Sequence, residues 1–123
     1  MSLMIEQHDA GKVTVLHLTG RLTQDTAGHL RDAVHAVIAR HRGQILIDFS
    51  QVTYLDSCGL GELLQVYVTL RRRGGHVKLL NVTPPCRQLL TIARVLTVLE
   101  VFESEQLAIK SFPPNPVPLP RMN

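Results

Sequence analysis

The stretch Ile45–Leu64, ILIDFSQVTYLDSCGLGELL, decides the fold. Ile45 to Phe49 form a short apolar run with β-branched residues, interrupted only by Asp48, which is the pattern of a strand covered on both faces. After Ser50 to Leu55 comes Asp56-Ser57-Cys58-Gly59, and then Leu60, Leu63, Leu64, Tyr67 and Leu70 recur at the spacing of one helix face. A central strand therefore runs through a tight turn into an amphipathic helix. The turn delivers Asp56, Ser57 and Cys58 to the carboxyl end of the sheet, where function concentrates in α/β proteins. Unpaired N–H groups and the dipole at the start of the helix favour negative charge at this spot. Gly59 and Gly61 lower side-chain bulk beside the turn, so another backbone or a partner can approach closely.

Working outward, Lys12 to Leu18 concentrates Val13, Val15, Leu16 and Leu18 in a strand ended by Thr19-Gly20. Met4 to Gln7 is expected to pair with it across the Asp9-Ala10-Gly11 turn as a hairpin. From Asp25 or Thr26, the residues Ala27, Leu30, Val34, Val37 and Ile38 fall on one helix face, and Gly43 ends that pattern. Gly74-Gly75 closes the motif helix, His76 to Val82 gives the next strand, and Thr83-Pro84-Pro85 opens a third helix. Val98 to Phe102 reads as a last short strand and Glu103 to Ser111 as a short terminal helix. This alternation predicts an α/β fold with a mixed, mostly parallel sheet of four to five strands and about four helices. At 123 residues there is room for one domain, expected over residues 4–111. Residues 112–123 are expected to be a disordered tail, because Pro fills five of the eight positions from Pro113 to Pro120 and favours extended polyproline conformation.

Composition removes several function classes. Trp is absent and Phe plus Tyr number five, so aliphatic side chains fill the core and base-stacking platforms are not expected. The net charge is +3, and the only tight basic cluster, Arg71-Arg72-Arg73, sits where a helix ends, so cations complement its dipole; no direct nucleic-acid contact is expected. No apolar run approaches the roughly 18 residues of a membrane span, and no signal-peptide layout opens the chain, which predicts a cytoplasmic protein without membrane contact. Cys58 and Cys86 are too few and too far apart for a disulfide framework or a CxxC motif, in keeping with a reducing compartment. The six histidines include no pair at four-residue helical spacing and none beside a cysteine, so neither a metal site nor a cofactor is expected. Enzymatic constellations are also missing. Asp48 and Asp56 have no His or second carboxylate nearby in sequence, and Ser57 lacks a GxSxG setting. Gly59-Leu60-Gly61 is too short for a nucleotide-binding fingerprint, and Leu64 stands where a Cys-x5-Arg phosphatase arrangement needs Arg.

With the motif placed, a strand followed by Asp-Ser-Cys-Gly-Leu-Gly and a Leu-rich helix resembles the phosphorylation segment of STAS-domain anti-sigma factor antagonists, also called anti-anti-sigma factors. The resemblance extends through LTGRL at 18–22, Gly74-Gly75, the Thr-Pro-Pro opening of the third helix and the Val101-Phe102 ending, and covers about residues 4 to 111. It implies a non-enzymatic partner-switching module in signal transduction. The unmodified protein would bind an anti-sigma factor, usually a serine kinase with a histidine-kinase-like ATPase fold, and so free a sigma factor for transcription. Phosphorylation of a serine at the helix start would abolish that binding. The implied partner surface is Asp56, Ser57, Cys58, Gly59, Leu60 and Gly61, with Asp56 holding the turn and contributing to recognition.

The usual phosphoacceptor position, immediately before the Gly, is Cys58 here, and a serine kinase does not phosphorylate a thiol as it does a hydroxyl. Three readings follow. Ser57 is the acceptor, unless its hydroxyl caps the helix by bonding the Leu60 N–H, the expected role for Ser at this place. Cys58 is a redox analogue of phosphoserine, favoured by the helix N-terminus and by a neighbouring Cys86. Or the module stays in its unphosphorylated, binding-competent state. Helix-end attraction stabilises a phosphate by only about 1 to 2 kcal/mol. Inverting a binding equilibrium needs about 5.5 kcal/mol, so the switch position must face the partner. A scaffold component of a stressosome-like or other signalling assembly, without phosphoswitching, is the second class of function the same sequence supports.

Overall fold

The computed structural model describes residues 2–113. Five strands, β1 (Leu3–Ala10), β2 (Val13–Leu22), β3 (Gln44–Leu55), β4 (His76–Leu80) and β5 (Val101–Phe102), form one sheet in the order β1-β2-β3-β4-β5. The β1–β2 hairpin is antiparallel, and β2–β3, β3–β4 and β4–β5 are parallel. Helices α1 (Ala27–Ala39), α2 (Ser57–Arg72), α3 (Pro84–Ile92) and α4 (Glu105–Ser111) complete the fold, which is the mixed α/β architecture expected from the alternation of patterns. The expected Asp9-Ala10-Gly11 turn is a two-residue one, Gly11-Lys12, with Gly11 at φ +62.

Strand β3 explains the rest. Its first half, Gln44 to Asp48, lies between β2 and β4 and is buried on both faces. β4 ends at Leu80, opposite Asp48, so from Ser50 to Leu55 the strand keeps only β2 as a neighbour and buries Val52 and Leu55, three positions apart across a shift of register against β2. This overhang carries the start of α2 beyond the end of β4.

The two faces of the sheet are covered unequally. Leu16, Leu18, Ile45, Ile47, Phe49, Val77 and Leu79 pack beneath α1, α2 and α3 in the main core. The opposite face presents Val13, Val15, Leu46 and Leu80 to the short α4, with Ala108 and Phe112 closing a smaller cluster. Phe112, assigned by sequence to the tail, is buried here because it seals this second cluster; residues 114–123 of the expected tail lie outside the described residues. Lys78 anchors the end of α4: its Nζ donates to the Ser111 carbonyl and hydroxyl at 3.1 and 2.9 Å, between the rings of Phe102 and Phe112, and pairs with Glu100 at 3.2 Å. A cation among the last carbonyls of a helix is the favourable arrangement for the dipole.

Element ends differ from expectation where local chemistry intervenes. Helix α1 ends at Ala39, with Arg40 as its C-cap and His41 left-handed at φ +60, before Gly43 is reached. Strand β4 ends two residues before Val82, since Asn81 turns left-handed at φ +54. The expected Val98–Phe102 strand shrinks to Val101–Phe102, because Val95–Thr97 forms a 3-10 turn that Val98 closes.

His76 starts β4 with its Nδ1 buried and without a hydrogen-bond partner among the described residues. Burial first, and then the cations Arg71 and Lys78, hold its imidazole below the ordinary value of 6.5 against the attraction of Glu100. The unfolded chain therefore takes up this proton at a higher pH than the native one, so stability from this residue is intact above about pH 6.5 and falls as pH drops through that value towards the depressed native one. Urea midpoints measured across this range should decline less in His76→Gln than in the wild type.

Candidate partner-binding site at the start of helix α2

Helix α2 begins where the β3 overhang ends. Asp56 is its N-cap, with extended backbone at φ −107 and ψ −178, and its Oδ1 accepts the Gly59 N–H at 2.8 Å. The other oxygen, Oδ2, accepts the Gln24 N–H at 3.1 Å, while the Asp56 N–H donates to the Leu22 carbonyl at 3.3 Å. One aspartate thus ties the β2–α1 loop, the end of β3 and the first turn of α2 together, which is the turn-holding role expected of it.

Ser57 does not cap the helix. The Leu60 N–H donates instead to the Asp56 carbonyl at 2.9 Å, because Asp56, one residue earlier, already occupies the N-cap and Ser57 is the first helical residue. The Ser57 and Cys58 side chains both lie exposed on the first turn. The two cysteines are free thiols in different environments: Cys58 is exposed, whereas Cys86, in the first turn of α3, is buried and its thiol is pushed up by burial against a hydrogen bond with Thr83.

Of the six residues read from sequence as the partner surface, Gly59 and Leu60 turn inward. A Cβ at Gly59 would lie 2.3 Å from the Leu22 carbonyl oxygen and 2.8 Å from Leu55 Cδ1, so the close approach that Gly permits here is that of the chain's own strand β2. Leu60 is in the main core. Gly61 is exposed and has open space where a side chain would be. The accessible set is therefore Ser57, Cys58 and Gly61, with Asp56 half-buried beneath them.

Two neighbours were not singled out by sequence. Arg21 and Tyr54 are register partners at the ends of β2 and β3, and the Arg21 guanidinium stacks over the Tyr54 ring at 4.5 Å from its centroid. Tyr54 is 45% exposed, which leaves an aromatic face and a cation at the same end of the sheet as Ser57 and Cys58, a composition enriched at protein interfaces. The alternation of Val52, Tyr54 and Leu55 hides this, since only the strand register shows that Tyr54 points away from the core.

The fold is that of a STAS domain, one mixed sheet with helices on both faces and a capped helix start presented at one end. The chain matches the family described as "Mlab, STAS domain" over residues 5–100, and it belongs to that STAS-domain family. Among similar proteins, the Anti-sigma F factor antagonist of Paenibacillus polymyxa is 26% identical over 110 residues, covering 89% of this chain and 94% of the relative. The crystal structure of an anti-sigma factor antagonist from Mycobacterium paratuberculosis superposes with a TM-score of 0.80 at 23% identity, covering 89% of this chain and 93% of that one. The Bacillus cell fate determinant SpoIIAA in its phosphorylated form superposes at 0.69 with 21% identity, covering 87% and 97%.

Removing the cap should loosen the whole turn. Asp56→Ala is expected to lower stability by about 1 to 3 kcal/mol, since it deletes a cap worth roughly 0.5 to 2 kcal/mol and leaves a second N–H without its acceptor. Gly59→Ala, which drives a methyl into backbone, should cost about 1 to 3 kcal/mol, whereas Gly61→Ala should be neutral or slightly stabilising. Urea denaturation of the three variants checks the ranking.

Proposed function

We propose that this chain is an anti-sigma factor antagonist that binds an anti-sigma factor of the serine kinase type through the exposed start of α2 and so regulates sigma-dependent transcription. The observation that carries the reading is the Asp56-capped turn presenting Ser57 and Cys58 to solvent in a STAS-domain chain whose relative from Paenibacillus polymyxa is named an antagonist of this kind. It is a binding role, without a catalytic step and without a cofactor, and it places the protein in the cytoplasm beside its partner. Among the described residues no helix is long and apolar enough to cross a membrane.

The phosphoacceptor position is altered. Cys58 stands at the place that the family resemblance gives to the acceptor serine, and its thiol takes no phosphate from a serine kinase. Ser57 keeps an exposed hydroxyl one residue earlier, uncommitted to the cap. The two hydroxyl and thiol groups leave the first turn of the helix at angles about 100° apart, as 3.6 residues per turn requires, so phosphate on Ser57 would meet a different part of the partner. We therefore read the protein as one that stays in its binding-competent state when the kinase is active.

Affinity capture from the native cytoplasm in ADP, with mass spectrometry of both the captured proteins and the bait, tests the partner. Recovery of a kinase-fold anti-sigma factor is the expected result; recovery of only the bait or of sensor proteins would favour a signalling scaffold instead. Gly61→Glu, which has space to fold, should weaken that capture at least about tenfold through a desolvated like or unpaired charge, while Gln106→Ala on α4 should leave it unchanged.

Restoring the hydroxyl gives the sharper experiment. With the captured partner and ATP, wild-type protein should remain bound and carry no phosphate at position 58, whereas Cys58→Ser should gain one phosphate and be released. Phosphate mapped to Ser57 in the wild type, with release, would show that the switch has moved by one residue.

A further inference from the structure

On the sheet face opposite the α2 site, a chain of polar groups runs across three strands to α4. His17 and Asp48 are register partners on β2 and β3, and His17 Nδ1 lies 2.8 Å from Asp48 Oδ2. The same carboxylate accepts the Ser50 N–H through Oδ1 at 2.9 Å, so it is held from both sides. On β1, His8 lies diagonal to His17 across the hairpin, and its Nδ1 is 3.0 Å from His17 Nε2. His8 Nε2 in turn faces Glu105 Oε2, in the first turn of α4, at 3.8 Å. One ligand atom from each of His8, His17 and Glu105 falls within 4.8 Å of the others.

We propose that His8, His17 and Glu105 form a site for one divalent transition-metal ion of the Zn2+ class, with Asp48 as the positioning residue behind His17. The inference is independent of the antagonist reading. Three features point to a metal. The donor set, two imidazoles and a carboxylate, is one that Zn2+ accepts with a position left open. The hydrogen bond from His17 Nδ1–H to a largely buried carboxylate fixes the tautomer, so that Nε2 carries its lone pair outward; this carboxylate–histidine pairing is the usual support of a zinc ligand. The dimensions also suit the ion. Donors about 2.0 to 2.1 Å from a tetrahedral ion sit about 3.3 Å apart, so the 3.0 Å nitrogen pair opens by a few tenths of an ångström and the carboxylate closes by at most about 1.5 Å.

The side chains of His8, His17 and Glu105 are 46%, 34% and 40% exposed, which gives an ion a path from solvent and leaves Glu105 free to rotate. Glu6, the register partner of His17 on β1, adds negative charge to the same strand face, so a cation is favoured over an anion. On binding, both rings turn so that an ion beside the line joining His8 Nδ1 and His17 Nε2 displaces the hydrogen they share, and His8 carries its proton on Nε2. A bound ion would clamp α4 to the β1–β2 hairpin, two elements joined otherwise by packing of the smaller core and by the 3.8 Å approach of His8 and Glu105.

Isothermal titration of the untagged full chain with Zn2+ in chelator-free buffer tests this. One equivalent should bind and raise the melting temperature. His17→Ala and His8→Gln should each abolish that binding or weaken it at least about tenfold, as should Glu105→Gln, and Asp48→Asn should weaken it by about 10- to 100-fold without removing a ligand. Cys58→Ser and His35→Ala should bind as the wild type does. His8 and Glu105 are half-exposed, so their variants remain informative if His17→Ala fails to fold, which circular dichroism would show. Absence of binding, binding that survives His8→Gln and Glu105→Gln, or binding lost only in Cys58→Ser would overturn the site.

Discussion

The structure depends on one carboxylate. Asp56 accepts backbone N–H groups from both Gly59 and Gln24, and hydrogen bonds to an ionised acceptor are roughly twice as strong as neutral ones. Without it, the first turn of α2 would have an unmet donor, and the loop leaving β2 would lose its link to the end of β3. A Cβ at Gly59 would lie 2.3 Å from the Leu22 carbonyl oxygen, so helix and strand meet backbone to backbone beside this bridge. Rigidity at the helix start follows from these two constraints together. The Ser57-Cys58 turn is thus presented on a fixed platform, which lowers the ordering cost of any partner that docks there.

Unequal coverage of the sheet separates two kinds of chemistry. The face beneath α1, α2 and α3 is apolar, apart from ties such as the Arg31 guanidinium reaching the buried Glu62 carboxylate at 2.7 Å between α1 and α2. The face beneath α4 is only partly covered, because a helix of seven residues spans little of it. That partial cover lets Asp48 and His17 sit in strands that the other face makes hydrophobic. A charged residue in the buried half of β3 is tolerable because its two acceptors are both met, by His17 and by the Ser50 N–H.

Order and type of the elements were legible because each pattern was long and periodic, as in the α1 stripe Ala27, Leu30, Val34, Val37 and Ile38, all buried. The motif could be placed for the same reason: a continuous apolar run and a Leu stripe bracket it. The identity of the cap was not legible. Asp56 and Ser57 are both good N-cap residues, and each has an N–H three positions ahead, so only the extended backbone at Asp56 decides between them. The inward turn of Gly59 and Leu60 was hidden in the same way, since it follows from where β2 crosses. The His8, His17, Asp48 and Glu105 chain lies beyond any reading of local spacing, because it is assembled by strand register and by the return of α4. A partial signal existed: once the hairpin turn is two residues long, His8 and His17 must fall on one face as diagonal neighbours.

The order of the strands in the sheet is also their order in the chain, so every strand pairs with the one that precedes it. Such a sheet grows at a single advancing edge. The hairpin pairs over a two-residue turn, and each later strand lies against the edge that its predecessor in the chain presents. No strand has to be inserted between two others, and no early pairing has to be undone. Among the described residues the last strand, β5, is only two residues long, and an edge so short is a poor template for a strand from another molecule.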